Sequence, residues 1–260
     1  MKSLATFVLA LAIVATANAQ EWTPSFGANY AFTLPTGGMK ENVRFGNGAA
    51  LNVMFEAPSH RLAAGLELNF SGYGHSKSEQ DYEFPDGTVA PMNVIVNNTF
   101  TNLMATTRLY LLVDGPVRPY ATVKAGYSFF RTRLVIEDPN LEDSCKPVES
   151  DLLSHDGTFV YSAGGGVRID AGWIFKSQPR GRWYIDVSSS MTQGGRVNYM
   201  NEDAPDPTAT HNMSTRSKEV EAEFINTQTQ VVHSHHVGYM YNSFVQMMDF
   251  RLGVTFNIGY

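Results

Sequence analysis

From Asp249 to Tyr260 the chain alternates between two chemical classes. Phe250, Leu252, Val254, Phe256, Ile258 and Tyr260 are apolar, whereas Asp249, Arg251, Gly253, Thr255, Asn257 and Gly259 are polar or small. A period of two places these sets on opposite faces of a β-strand. The same rhythm recurs upstream and predicts further strands at 26–34, 49–57, 62–73, 99–112, 117–134, 158–173 and 182–192. In the third, Leu62, Ala64, Leu66, Leu68 and Phe70 oppose Gly65, Glu67, Asn69 and Ser71. In the fifth, Ala121, Val123, Ala125, Tyr127 and Phe129 oppose Thr122, Lys124, Gly126 and Ser128. After the first twenty or so residues no stretch carries a convincing helical period.

The connections alternate in length as regularly as the strands alternate in face. Residues 58–61, 113–116 and 174–181 are tight, and 35–48, 74–98, 135–157 and 193–242 are long and polar. All long loops therefore fall at one end of an up-and-down sheet, and both strand-bearing chain ends fall at the other. Short periplasmic turns opposite long extracellular loops, with an even strand count, mark a transmembrane barrel. The expected fold is all-β: an eight-stranded antiparallel up-and-down transmembrane β-barrel. A turn signal at Phe84-Pro85-Asp86-Gly87-Thr88 and a Val/Ala/Phe-against-Glu alternation at 219–224 suggest raised hairpins in two of the loops. Counting those hairpins as wall strands gives a ten-stranded alternative.

Charge decides which face looks outward. The polar faces carry Glu56, Glu67, Arg108, Lys124, Arg168, Asp170, Asp186, Asp249 and Arg251, mostly at mid-strand positions. In lipid an Arg or Lys near the midplane costs roughly 2–4 kcal/mol. Inside a narrow barrel the same charges are tolerable when paired. The expectation is a lumen charge network of Glu67, Arg108, Lys124, Arg168, Asp170, Asp186, Asp249 and Arg251 that plugs the interior, with the apolar faces in lipid. Aromatics on the apolar faces form two belts: Phe26, Phe55, Trp173, Trp183 and Tyr260 at the short-turn rim, and Phe70, Phe129, Tyr161 and Phe250 at the long-loop rim. A soluble barrel with a wet polar exterior is the competing arrangement.

The first residues bear on the compartment. Lys2 precedes an apolar run at 4–15, and Ala17-Asn18-Ala19 is a small-x-small cleavage site. These features predict a signal peptide over 1–19 and one barrel domain over 20–260. The apolar run is shorter than the roughly 20 residues a spanning helix needs. Without Lys2 the charges are 18 basic against 25 acidic, so no basic surface suits nucleic acid. The single cysteine, Cys145, cannot form an intramolecular disulfide.

The leader, the eight-strand rhythm and the terminal Phe256-Asn257-Ile258-Gly259-Tyr260 together resemble the small outer-membrane β-barrel proteins of the OmpA/OmpX type from Gram-negative bacteria. The resemblance spans the mature chain, 20–260. It implies residence in the outer membrane among lipid and lipopolysaccharide, as a monomer. It also implies delivery by periplasmic chaperones and insertion by the barrel-assembly machinery. Phe256, Ile258 and Tyr260 would then form the assembly signal. Unlike full-length OmpA proteins, the chain is expected to have no periplasmic peptidoglycan-binding domain after the barrel.

Chemistry-bearing residues are sparse. His233, His235 and His236, with His211, are metal-ligand candidates on a polar loop, although such histidines are more commonly plain loop residues. The acidic run from Glu137 to Asp156 lacks EF-hand spacing. His75-Ser76, His155-Asp156 and His233-Ser234 supply residue types used by outer-membrane lipid-modifying enzymes and proteases, but no family motif. The reading is therefore of a non-enzyme without cofactor, whose loops contact lipopolysaccharide or a cell-surface ligand. A narrow pore or solute-binding barrel is the alternative, disfavoured because eight strands leave room only for side chains.

Overall fold

A computed structural model describes residues 22–83, 87–137, 149–176, 178–201, 216–225 and 232–258. The expected leader 1–19, Cys145, His211 and Tyr260 lie outside the described residues. The strands are β1 (Thr23–Pro35), β2 (Gly46–Glu56), β3 (Leu62–Glu83), β4 (Val89–Tyr110), β5 (Val117–Glu137), β6 (Glu149–Asp170), β7 (Trp183–Asn201), β8 (Arg216–Ile225) and β9 (Val232–Asn257). Each neighbouring pair is antiparallel, and the order β1-β2-β3-β4-β5-β6-β7-β9 closes through a β1–β9 pairing. The result is a closed eight-stranded up-and-down barrel. The ninth strand, β8, pairs only with the upper part of β9, outside the ring. This overturns the ten-stranded alternative.

Polarity is inside-out relative to a soluble barrel. Leu51, Leu66, Leu103, Val123, Phe159 and Leu252 are exposed on the exterior. On the intervening positions, Glu67, Asn69, Asn102, Thr122, Ser128 and Ser162 are buried. Alternation along the lower part of each strand, below the register shifts at Gly72/Gly74, Thr132/Arg133 and Gln193/Arg196, makes the two sets inseparable: a shift of one residue would turn the charges there toward lipid.

Strand boundaries differ from the sequence expectation mainly at the long-loop end. β3 and β4 are each 22 residues long, so much of the 74–98 connection is wall rather than loop. A membrane-crossing strand needs about 9–11 residues, so about half of this hairpin stands above the bilayer. β7 reaches Asn201 and β9 starts at Val232, which removes both ends of the expected 193–242 loop. The alternation is harder to read there because both faces of a raised hairpin are wet or partly covered, and Lys77 and Glu79 stand where apolar residues stand lower down. The 35–48 connection contains a short 3-10 helix, Gly37–Glu41, whose Met39 is buried in the barrel interior.

At the other end the turns are compact. Gly115 and Gly181 adopt φ of 104° and 80°, a region that β-carbon-bearing residues avoid. The expected sixth strand stops at Asp170 rather than 173. Asp170 accepts hydrogen bonds from Gly172 N at 2.8 Å and Gly181 N at 3.0 Å, and so caps a one-turn helix α1 (Ala171–Ile174). Trp173 lies on α1 and remains exposed at the short-turn rim. The expected final strand runs to Asn257 instead of the terminus.

If the exterior contacts lipid, Leu66→Arg, midway between Leu62 and Phe70 on β3, should destabilise the barrel by roughly 2–4 kcal/mol. The measurement is a urea titration of protein refolded into bilayers. Glu79→Arg, well above the apolar band, should change stability by less than about 0.5 kcal/mol.

Candidate functional site

Because every second side chain points inward, eight strands bring distant polar residues into one narrow column. Its described acids are Glu56, Glu67, Asp170, Asp186 and Asp249, and its bases are Arg108, Arg118, Lys124, Arg168 and Arg251. The β9 register orders them from the short-turn mouth upward through Asn257, Gly253, Arg251 and Asp249.

At the mouth, Glu56 is 3.3 Å from both Arg118 and Arg168, and its Oε1 is 3.0 Å from His60 Nδ1. Arg168, only 1% exposed, also donates to Tyr110 OH at 2.5 Å and Asn257 Oδ1 at 2.8 Å. Its guanidinium lies 4.2 Å from the Tyr184 ring centre, a cation–π contact. One level higher, Arg108 donates to Asp186 Oδ2 at 2.8 Å while Tyr120 OH donates to Asp186 Oδ1 at 2.6 Å. Tyr120 occupies space that opens only because its β6 partner is glycine: a Cβ on Gly166 would lie 2.6 Å from the Tyr120 ring and hydroxyl. Gly166, the last glycine of the run at 164–166, thus seats a lumen side chain.

Above that, Glu67 takes Lys124 Nζ at 3.0 Å on each oxygen and Arg251 Nη1 at 2.5 Å. Asp249 is held differently, by the hydroxyls of Thr33 at 2.7 Å and Thr192 at 2.9 Å. Among the described residues it makes no direct ion pair. Asp170 departs further from the expected network. Both its carboxylate oxygens serve backbone N–H groups of the β6–β7 connection, so it is a turn residue and not a member of the ion network.

The interior also contains a layer absent from the sequence expectation. Above Asp249, Met39, Tyr73, Phe100, Met104, Phe130 and Tyr199 belong to one buried apolar cluster. Phe100 and Phe130 rings stack at 5.7 Å, and Tyr73 meets Phe130 edge-on at 5.8 Å. These residues share the inward parity of the charged ones: Phe100 and Met104 with Arg108, Phe130 with Lys124. That parity is the signal the sequence carries for them.

The other candidates are not assembled into a reactive site among the described residues. His75 Nδ1 lies 2.7 Å from Asn97 Oδ1, with both on the outer face. His155 is exposed, whereas the neighbouring Asp156 accepts from the backbone N–H and the side-chain amide of Asn198, each at 2.8 Å. The backbone of β9 pairs His233, His235 and His236 with Phe224, Ala222 and Glu221 of β8. No group of three metal-ligating side chains comes together among the described residues. Phe256 sits at the short-turn end of β9, 4.7 Å from the Trp183 ring, and Ile258 follows just beyond the strand.

An apolar exterior, two rims of aromatics and a polar, ion-paired interior define a transmembrane β-barrel. Neisserial surface protein A is similar in shape, at 9% identity and a TM-score of 0.40, over 90% of this chain and 96% of that one. Ail, the attachment invasion locus protein of Yersinia pestis, matches at 10% identity and 0.39 over 91% and 97%. A major outer membrane protein from Thermus thermophilus matches at 14% and 0.41 over 90% and 99%. No family model and no curated protein matches the chain.

Asp186→Ala leaves Arg108 and Tyr120 buried without their acceptor, and should destabilise by about 3–5 kcal/mol. The double change Asp186→Leu with Arg108→Met removes both charges together and should cost clearly less. Unfolding midpoints of the single and double variants in the same micelles check this, and equal losses would argue against a paired network.

Proposed function

We propose that this chain is a monomeric integral outer-membrane β-barrel of the OmpA/OmpX type that presents extracellular structure and does not conduct. The observation that supports this reading most strongly is the filled lumen. Charged pairs close the short-turn half, and an apolar cluster closes the half toward the loops. A permeating ion would have to break buried salt bridges and then cross a buried, largely apolar aromatic layer. Each step is expensive in a low-dielectric interior.

What remains accessible lies above the membrane. The β3–β4 hairpin, the extended β5–β6 and β7–β9 pairs and β8 offer a strand-built surface for lipopolysaccharide or a cell-surface ligand. The proposed pathway to this position is export through the leader ending near Ala19, escort by periplasmic chaperones, and insertion by the barrel-assembly machinery. Phe256, Ile258 and Tyr260 are the residues proposed for recognition by that machinery. The reading requires no catalytic group, metal or cofactor.

Reconstituted in planar bilayers, the protein should insert without steady conductance. Replacing Phe100, Phe130 and Met104 together with Ala should leave it silent, because the ion-paired layer remains intact. Adding Arg168→Ala to that variant should produce discrete openings. Steady ohmic current through the wild type would instead favour the narrow-pore alternative.

A further inference from the structure

The outer face above the long-loop aromatic belt is basic, in a chain whose net charge is −6. Strand register arranges this face in rows. Phe70, Thr101, Phe129 and Gly157 form one lateral row across β3, β4, β5 and β6, at the belt. The next row upward is Gly72, Thr99, Arg131 and His155, followed by His75, Asn97, Arg133 and Leu152, then Lys77, Ile95, Val135 and Ser150. Arg131, Arg133, His75, Lys77 and His155 are all exposed. Acids enter these rows only at the next level, where Glu79 and Glu137 flank Asn93.

Arg44 and Arg196 continue the positive rim on neighbouring parts of the wall, and Arg196 lies over the exposed Phe244 ring at 4.7 Å. Side chains on one face recur about every 6.7 Å along a strand. With a strand tilt near 40° the basic rows stand roughly 5–15 Å above the belt. The headgroup layer is about 5–8 Å thick on each side of the hydrocarbon core, so the Arg131 row lies at its level, and the side chains of Arg133 and Lys77 in the rows above are long enough to reach toward it.

The same band contains a cavity of about 410 Å³, formed where β2 begins and β3 and β4 continue upward. Arg44 and Phe45 line one side, and His75, Asn97 and Thr99 line the other. Its occupant would meet the exposed Arg44 guanidinium, amide and hydroxyl groups, and an aromatic face 47% exposed at Phe45. Such a lining suits a phosphorylated sugar: the oxyanion pairs with Arg44, and the sugar ring lies against Phe45.

We infer that this basic girdle and its cavity bind the phosphorylated sugar headgroup of an outer-leaflet glycolipid. The inference rests on the membrane placement proposed above. It identifies the lipid-recognition surface as the outer wall of β3–β6 with Arg44, distinct from the extracellular loop tips.

The test uses the full-length mature protein in nanodiscs of phosphatidylcholine alone, phosphatidylcholine with phosphatidylglycerol, and phosphatidylcholine with lipid A. Lipid A should slow heat unfolding of the barrel at least tenfold relative to phosphatidylcholine, and more than phosphatidylglycerol does. The variant R44Q/R131Q/R133Q should fold normally in phosphatidylcholine yet lose most of the lipid A protection. Inorganic phosphate at millimolar concentration should protect little.

Equal unfolding rates in all three bilayers would overturn the inference, as would full protection of the triple variant. Equal protection by phosphatidylglycerol would reduce the girdle to diffuse attraction, and equal protection by inorganic phosphate would make the source a free anion. Failure to insert into any nanodisc would instead strike the membrane placement itself.

Discussion

A bilayer interior offers no hydrogen-bond partner to a peptide group, so each strand that crosses it must be paired on both sides. In this chain that requirement is met by the ladder between β1 and β9, which joins Ser25 through Pro35 to Met247 through Asn257. Without it, both strands would present open edges to lipid. With it, the sheet becomes a ring, and the ring has an inside. Everything else in the molecule follows from filling that inside and greasing the outside. The ladder also explains why β8 can remain outside the wall: it meets β9 above the level where β1 has ended.

Closure at eight strands leaves a lumen only as wide as interdigitating side chains. Polar residues placed there are removed from water, so each charge depends on a neighbour across the barrel. Glu67 illustrates the arrangement: one carboxylate from β3 holds Lys124 from β5 and Arg251 from β9. Such pairs are weak sources of net stability, because desolvation offsets most of the attraction. Their value lies in register: a strand displaced by one residue would leave several charges unpaired at once. The apolar cluster above them supplies ordinary packing, and Met39 lets the 3-10 helix after β1 contribute to it.

Much of this is legible in the sequence, because lipid enforces period two without relief. The alternation of Leu252 with Arg251, or Leu68 with Glu67, is sufficient to assign faces, since only one assignment keeps charges out of hydrocarbon. Strand length is less legible. Above the bilayer neither face needs to be apolar, so β3 continues through His75 and Lys77 without a hydrophobic signature. The role of Asp170 is also hidden, because parity marks it as inward and only the path of the following turn shows that backbone N–H groups consume its carboxylate. Inward aromatics such as Tyr120 share the parity of Lys124, but an aromatic ring in a membrane strand reads first as a rim residue. The girdle of Arg131, Arg133 and His75 requires cross-strand register, which no single strand displays.

Inside-out polarity is the central claim, and depth-independent contact with lipid tests it directly. Single cysteines at 102, 103, 105 and 106 of β4, in a chain with Cys145 replaced by Ser, are labelled with a small fluorophore and reconstituted with brominated lipid. Positions 103 and 105 should be strongly quenched, and positions 102 and 106, which replace the buried Asn102 and Thr106, should be shielded. Quenching at 102 and 106 with shielding at 103 and 105, or no alternation at all, would contradict the account.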